Sequence, residues 1–337
     1  MKQRLTGKEI AQIAGVSPTA VSLVKKGKSG VSEEKRREIL GLLKEAGYTD
    51  LADEKPTKKT IALLFRDDLY ELKQIFYHEV MDSILRTCRD LPYNIVAKSI
   101  DYENDAHNAQ VFASAGTWDA AIICSDPKDS ILCPLFQNSV PFVIVDSSSE
   151  SKVAYAVCVD YEAAAHRMTS YLLEKGHREI AYIGNAKNTE DHSFTIHSLN
   201  GFQRALQEDG IVKSMMVCLN AHNESRLHAF IDLVLEAPVR PTALFCTTDN
   251  NAIQAIRYLW KKGMRVPQDI SVVGMDDIVV SRYTTPALTT MRVDREELSR
   301  MCIQMLDKLI SGKKIRSAYI APCELIERES VASLTIE

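Results

Sequence analysis

Residues 11–24 read AQIAGVSPTAVSLV, the end of one helical pattern, a short turn and the start of another. Just upstream, Thr6 followed by Glu9 has the spacing of a capping box, in which each side chain satisfies a backbone N–H at a helix start. Ile10, Ala11, Ile13 and Ala14 recur at helical spacing, and Gly15 can take the left-handed conformation that ends a helix. Ser17-Pro18 supplies an N-cap and a proline at the first helical position, where its missing N–H costs nothing. Val21 and Val24 point inward, and the small Ala20 lets the first helix approach closely. Thr19, Ser22, Leu23 and Lys26 are left facing outward. A third helix opens at Ser32, with Glu33 and Glu34 suited to the positive end of its dipole. Ile39, Leu42, Leu43 and Ala46 complete a three-sided core before Gly47. Two helices on a glycine-containing turn, backed by a third, make a helix-turn-helix; a three-helix bundle used for protein contacts is the other reading.

The charge distribution favours a polyanion as partner of this head. Residues 1–48 hold ten Lys/Arg and five Asp/Glu, a net of +5, whereas the rest holds 31 basic and 40 acidic side chains, a net of -9. The eight cysteines are scattered singly with no C-x-x-C pair, which argues against a disulfide framework or a zinc site. The start, MKQRLTGKEIAQ, lacks the apolar run of a signal peptide, and no stretch of about 18 apolar residues suggests a membrane helix. The chain reads as cytoplasmic.

From residue 60 the pattern changes to short apolar runs alternating with helical segments. Strands are expected at 60–65, 93–99, 120–125, 141–145, 155–159, 179–184, 214–219, 242–246 and 270–275, with helices such as 160–175, 198–209 and 249–263 between them. Continuous apolar strands alternating with helices imply parallel sheets covered on both faces. Nine such units exceed one compact sheet, so two doubly wound lobes are expected, with a ligand cleft beyond the carboxyl ends of the strands. No G-x-G-x-x-G or P-loop motif supports nucleotide chemistry, and His192/His197 and His222/His228 lack the spacing of a metal pair. No cofactor or metal is expected. Asp276-Asp277 follows the run ISVVGM. One carboxylate binding a ligand while the other caps the next segment is favoured over paired acid/base work, because no nucleophile accompanies them.

The head, LTGKEIAQIAGVSPTAVSLVKKGKSGVSEEKRREILGLLKEAGY, closely resembles the DNA-binding headpiece of the lactose/galactose repressor family, through AGVSPTAVS, VSEEKR and GY in order. The body resembles the effector-binding core of the same family, a periplasmic-binding-protein-like type I fold. The matching runs are VPFVIVD, YLLEKGHREIAYIG, GFQRALQEDGI, PTALFCTTDNNAIQAIRYLWKKGMRVPQDISVVGMDD, PALTTMRVD and ELIERES. The resemblance implies a headpiece at 1–48, a short linker at 49–59 and a two-lobed core at 60–337. The first lobe is expected at about 60–158 and 290–318, the second at about 159–289 and 319–331. It also implies a homodimeric, effector-controlled transcription regulator on operator DNA, a repressor rather than an enzyme. A solute-binding protein and an α/β enzyme are the competing classes; the basic head argues against the first and the missing catalytic constellation against the second.

On this resemblance the DNA-facing residues are Thr6, Ser17, Pro18, Thr19, Ser22, Leu23, Lys26, Lys28 and Lys35. Leu23 stands where many members carry a guanine-reading arginine; it can offer only apolar contact, as with a thymine methyl, or pack on the loop around Lys28–Val31. The linker TDLADEKPTKKT is short, acidic and interrupted by Pro56, so a plain tether is favoured over a hinge helix with Leu51 as a minor-groove wedge. The effector-binding candidates are Phe76, Tyr77, Asp146, Ser198, Thr248 and Asp276. Ser198 stands in place of a common ligand-pairing arginine, Ala221 or its neighbour in place of a stacking aromatic, and Thr248-Asp249 in place of an Asn-Asp pair. The effector expected from the resemblance is a sugar, nucleoside or other metabolite, and those departures point either to a ligand unlike the common sugars or purines or to weak or absent small-molecule control. For Phe76 and Tyr77, core packing and ligand contact both remain open.

Overall fold

The computed structural model describes residues 5–26, 28, 30–48, 58–66, 75–124, 127–147, 155–184, 193–211, 216–218, 221, 223–313 and 315–334. Leu51 and the linker residues 49–57 lie outside them, as do His192 and His222. The chain divides into two compact units, Met1–Lys58 and Lys59–Glu337.

The first unit is three helices, α1 (Gly7–Ile13), α2 (Pro18–Lys25) and α3 (Glu33–Glu45). The capping box forms: the Thr6 backbone N–H donates to the Glu9 carboxylate at 2.6 Å, and the Glu9 N–H to the Thr6 hydroxyl at 3.4 Å. Gly15 sits at φ +66°, which lets the Val16 N–H reach back to the Ala11 carbonyl at 2.9 Å and close α1. The Ser17 hydroxyl accepts from the Ala20 N–H at 3.2 Å, and Pro18 opens α2. Ile10, Ala11, Ala14, Val21, Val24, Ile39, Leu40 and Leu43 form the core. Each large one stabilises by about 1.5–3 kcal/mol on burial, so so small a domain tolerates few losses. Ile13, counted inward by spacing, is 55% exposed, because it lies on the flank of the Ile10-Ala11-Ala14 stripe.

The second unit holds two six-stranded sheets. The first has the order β11-β5-β4-β3-β1-β2, all parallel, from β1 (Lys59–Arg66), β2 (Tyr93–Ile100), β3 (Ala120–Cys124), β4 (Phe142–Ser147), β5 (Tyr155–Val159) and β11 (Ala318–Ala321). The second has the order β12-β10-β9-β8-β6-β7, from β6 (Ile180–Ile183), β7 (Val217–Cys218), β8 (Ala243–Cys246), β9 (Ser271–Asp276), β10 (Thr289–Val293) and β12 (Cys323–Ile326). Only β12 runs antiparallel to its neighbour.

Helices cover both faces: α4 (Ile75–Cys88), α5 (Asp105–Phe112), α6 (Asp129–Gln137) and α11 (Arg295–Ile310) in the first lobe, and α7 (Tyr161–Glu174), α8 (Ser193–Glu208), α9 (Glu224–Glu236) and α10 (Asp249–Lys261) in the second. In β1, Ile61, Leu63 and Phe65 feed one hydrophobic cluster, while Ala62 and Leu64 feed another on the opposite face. That is why these strands read as unbroken apolar runs. Helices α7 and α8 meet so closely that a Cβ on Gly201 would collide with the Glu162 carbonyl oxygen.

The lobe boundaries differ from expectation at two places. Residues 290–293 belong to the second sheet, since β10 pairs in parallel with β9, Thr289 opposite Val273. Residues 319–321 belong to the first, since β11 pairs with β5, Ala318 opposite Ala156. The chain crosses between lobes after β5, β10 and β11, and the last two of these crossings follow short strands that gave no separate sequence signal.

Candidate DNA-facing helix and effector cleft

In the headpiece, Pro18, Thr19, Ser22, Lys26 and Lys28 are exposed on or just after α2. Ser17 is also exposed, but its hydroxyl caps α2, as the Thr6 hydroxyl serves α1. The Lys35 ammonium donates to the Ala14 carbonyl at 2.8 Å and pairs with Glu38 at 2.8 Å, so it closes the carboxyl end of α1. Leu23 does not stand free. It is half-buried with its Cδ1 against Gly30, and its carbonyl accepts from the Lys28 N–H at 2.9 Å. This contact is the loop packing named as the alternative for Leu23. Arg36, absent from the sequence reading, is buried and donates to the Lys28 carbonyl, fixing the loop that follows α2. The polar surface offered by α2 is thus Thr19, Ser22 and Lys26, with Lys28 beside it.

In the core, the candidate cleft lies beyond the carboxyl ends of the strands. Asp146, near the end of β4, is buried with φ +60°. Its carboxylate accepts from the Tyr77 hydroxyl of α4 at 2.7 Å and from the Tyr161 hydroxyl of α7 at 2.5 Å. Burial, then the Asp146 charge, pushes the Tyr161 hydroxyl well above its ordinary pKa, so it stays a donor. The second lobe places Asp276 at the end of β9, buried with φ +121°. Burial, then the neighbouring Asp249 carboxylate, pushes Asp276 well above the usual carboxylate range. Non-glycine residues at such φ values are strained, and strain of this kind concentrates at ligand sites.

Asp277 also has a positive φ, +51°, but does other work. It pairs with Arg292 at 2.8 Å and Arg328 at 2.5 Å. Burial pushes its carboxyl up, and these two ion pairs outweigh that and hold it below the usual range. Asp249, at the start of α10, accepts from the Ile278 N–H at 3.0 Å, the Thr290 hydroxyl at 2.5 Å and the Ser281 hydroxyl. Burial raises it to about 7 against the lowering effect of those bonds.

The other sequence-named residues make internal contacts. Ser198 is fully buried, and its hydroxyl donates to the Phe194 carbonyl at 2.8 Å within α8. Thr248 caps α10, accepting from the Asn251 N–H at 3.3 Å. Phe76 is buried in the main cluster under the Arg295 guanidinium, 5.6 Å from ring centre to Cζ. Ala221 is buried in the second lobe. The structure thus brings together Tyr77, Asp146 and Asp276 and leaves Ser198 aside. Tyr161 and Arg295 escaped the sequence reading, and Asp249 entered it only as a departure from an Asn-Asp pair. Each stands within three residues of a strand's carboxyl end, so extending the strand-end rule to β5, β8 and β10 would have found them. Among the described residues no group of three or more His, Cys, Asp or Glu is arranged to hold a metal ion, and no helix is long and apolar enough to cross a membrane.

A capped helix-turn-helix unit and a two-lobed α/β core with a polar cleft define a DNA-binding regulator class built on a binding-protein core. The comparisons agree. Residues 6–50 match the model for bacterial regulatory proteins of the lacI family, and residues 169–331 match the periplasmic binding protein-like domain. The HTH-type transcriptional repressor PurR of Erwinia tasmaniensis is 31% identical, with 97% of each chain covered. The fold is shared with a transcriptional regulator CelR–cellobiose complex (24% identity, TM-score 0.71, 97% of this chain and 100% of that one). It is shared equally with the lac repressor dimer bound to operator and an anti-inducer (20% identity, TM-score 0.71, 98% and 100%). The chain belongs to the lacI family of bacterial regulatory proteins.

Proposed function

We propose that the chain is a repressor that binds operator DNA as a homodimer through α2 and responds to a small molecule held between its lobes. It works by binding, not catalysis, and in the cytoplasm. The observation that carries this reading is the exposed Thr19, Ser22 and Lys26 face of an α2 capped by Ser17, on a unit of net charge +5 over residues 1–48. Thr19 and Ser22 are placed to meet base edges, while Lys26 and Lys28 meet phosphates and set the register. With Leu23 tucked against Gly30, sequence preference rests on those two hydroxyl residues and on DNA shape.

The effector face is Tyr77, Asp146, Tyr161 and Asp276. Its carboxylates and hydroxyls suit a ligand that presents hydroxyl or N–H donors, such as a sugar or a nucleoside, and the relative complexed with cellobiose supports that class. The test is fluorescence anisotropy on the chain's own promoter fragment, with and without a panel of sugars, nucleosides and metabolites. Specific binding that is lost in a Thr19→Ala, Ser22→Ala double variant, and that shifts with at least one panel member, is expected. Binding that survives removal of residues 1–48 would overturn it.

A further inference from the structure

Glu79 lies on α4 in the first lobe, facing the second. One carboxylate oxygen accepts from the Val279 N–H at 2.8 Å; the other pairs with Arg295 at 2.7 Å. Val279 begins a short 3-10 turn, Val279–Tyr283, which follows β9 in the second lobe. Arg295 stands where the chain returns from β10 of the second lobe to α11 of the first. Its guanidinium also donates to the Asp277 carbonyl at 2.5 Å and the Val293 carbonyl at 2.9 Å, both in the second lobe. From the first lobe, Phe76 lies beneath that guanidinium and the Ser83 hydroxyl donates to the Arg295 carbonyl at 3.1 Å. Both charged side chains are largely withdrawn from water, 22% and 14% exposed, so the pair is screened far less than a surface bridge.

These contacts are not where either lobe needs stabilising. One face of each lobe has a core of its own, a single apolar cluster runs through the other faces of both, and α11 is already seated on α4 by its apolar face. The Glu79–Arg295 pair, carried by α4 and the start of α11, reaches the second lobe through the Val279 N–H and the Asp277 and Val293 carbonyls, beside Phe76 and close enough for Arg295 to lower the pKa of Asp276. We propose that Glu79 and Arg295 form a built-in clasp across the effector cleft. The chain's own charge pair holds the two lobes in this relative position without a ligand, and an effector acts by competing with or reinforcing that clasp. The regulatory half of this rests on the cleft being the effector site; the clasp itself does not.

Removing the clasp leaves two consequences that separate the two halves. Glu79→Gln keeps the shape and a weaker acceptor for Val279 but removes the charge, and Arg295→Lys keeps the charge but loses the planar fork that reaches Glu79 and Asp277 together. In each full-length variant, circular dichroism confirms folding, and amide-resolved hydrogen exchange is read at Val279–Tyr283. Exchange there at least about tenfold faster than in the parent is expected, with the β3 and β8 amides unchanged. The Glu79→Gln, Arg295→Lys double variant is expected to do no more than the larger of the two single changes, since the two act as a unit. Unchanged exchange at Val279 in both single variants overturns the clasp. Operator affinity of the ligand-free variants is then compared with the parent, with a shift of about fivefold or more expected. Faster exchange with unaltered operator affinity overturns the regulatory half alone. If the parent binds no operator, the functional reading fails while the exchange data still decide the clasp.

Discussion

The two lobes carry the same strand order and place an aspartate at the same point, Asp146 near the end of β4 and Asp276 at the end of β9, each with a positive φ. Their company differs. In the first lobe two tyrosine hydroxyls converge on Asp146, so neutral donors satisfy the carboxylate. In the second, Asp276 sits beside another buried carboxylate, Asp249, which takes up the donors from Ile278, Ser281 and Thr290. The backbone has room for this only because residue 274 is glycine: a Cβ there would collide with Asp249 Oδ1 and press on Leu288. The topologically matching residue in β4 is Ile144, whose side chain packs in the first lobe's own apolar cluster. Topology therefore decides where a cleft carboxylate stands, and the side chains around it decide its proton.

The largest break in that comparison is Asp249→Ala. It strands one backbone and two side-chain donors in a dry site, and urea denaturation is expected to show a loss of about 3–5 kcal/mol. Gly274→Ala comes next, at about 1–3 kcal/mol, since the new methyl displaces the Asp249 carboxylate; the same change at Ile144 acts by an ordinary cavity instead. A milder perturbation is pH. Asp249 in the folded state binds its proton up to about 7, against an ordinary value of 3.8. The folded chain thus holds more protons than the unfolded one in that window, and this group's contribution, full at low pH, is lost as pH rises through about 7. Melting curves from pH 5 to 8 should fall more steeply for the parent than for Asp249→Asn. The smallest expected effect is Tyr161→Phe in the first lobe, about 1 kcal/mol, because Tyr77 remains on Asp146.

The headpiece was legible almost residue by residue because local chemistry specifies it. The Thr6–Glu9 box, Gly15, Ser17-Pro18 and the valine pair act within a few residues of one another. The doubly wound core was legible from apolar runs, since strands covered on both faces have little choice of composition. The crossings were not, because β10 and β11 are short and their sheet depends on partners distant in sequence. Neither was the fate of Leu23 or Ser198. Whether a side chain turns to solvent, to Gly30 or to the carbonyl one helical turn back is settled by packing, and spacing alone does not carry it. Asp249 shows the same limit: its neighbours Ser281 and Thr290 lie 32 and 41 residues away.

The most direct test of the central claim, that the basic head reads DNA through α2, is the salt dependence of full-length protein binding to its promoter fragment. The slope of log affinity against log salt should be steeply negative, about −0.9 for each phosphate neutralised, and should flatten by roughly one phosphate in Lys26→Ala while preference for the promoter over random DNA persists. A flat salt dependence, or affinity indifferent to both Lys26→Ala and Thr19→Ala, would contradict it.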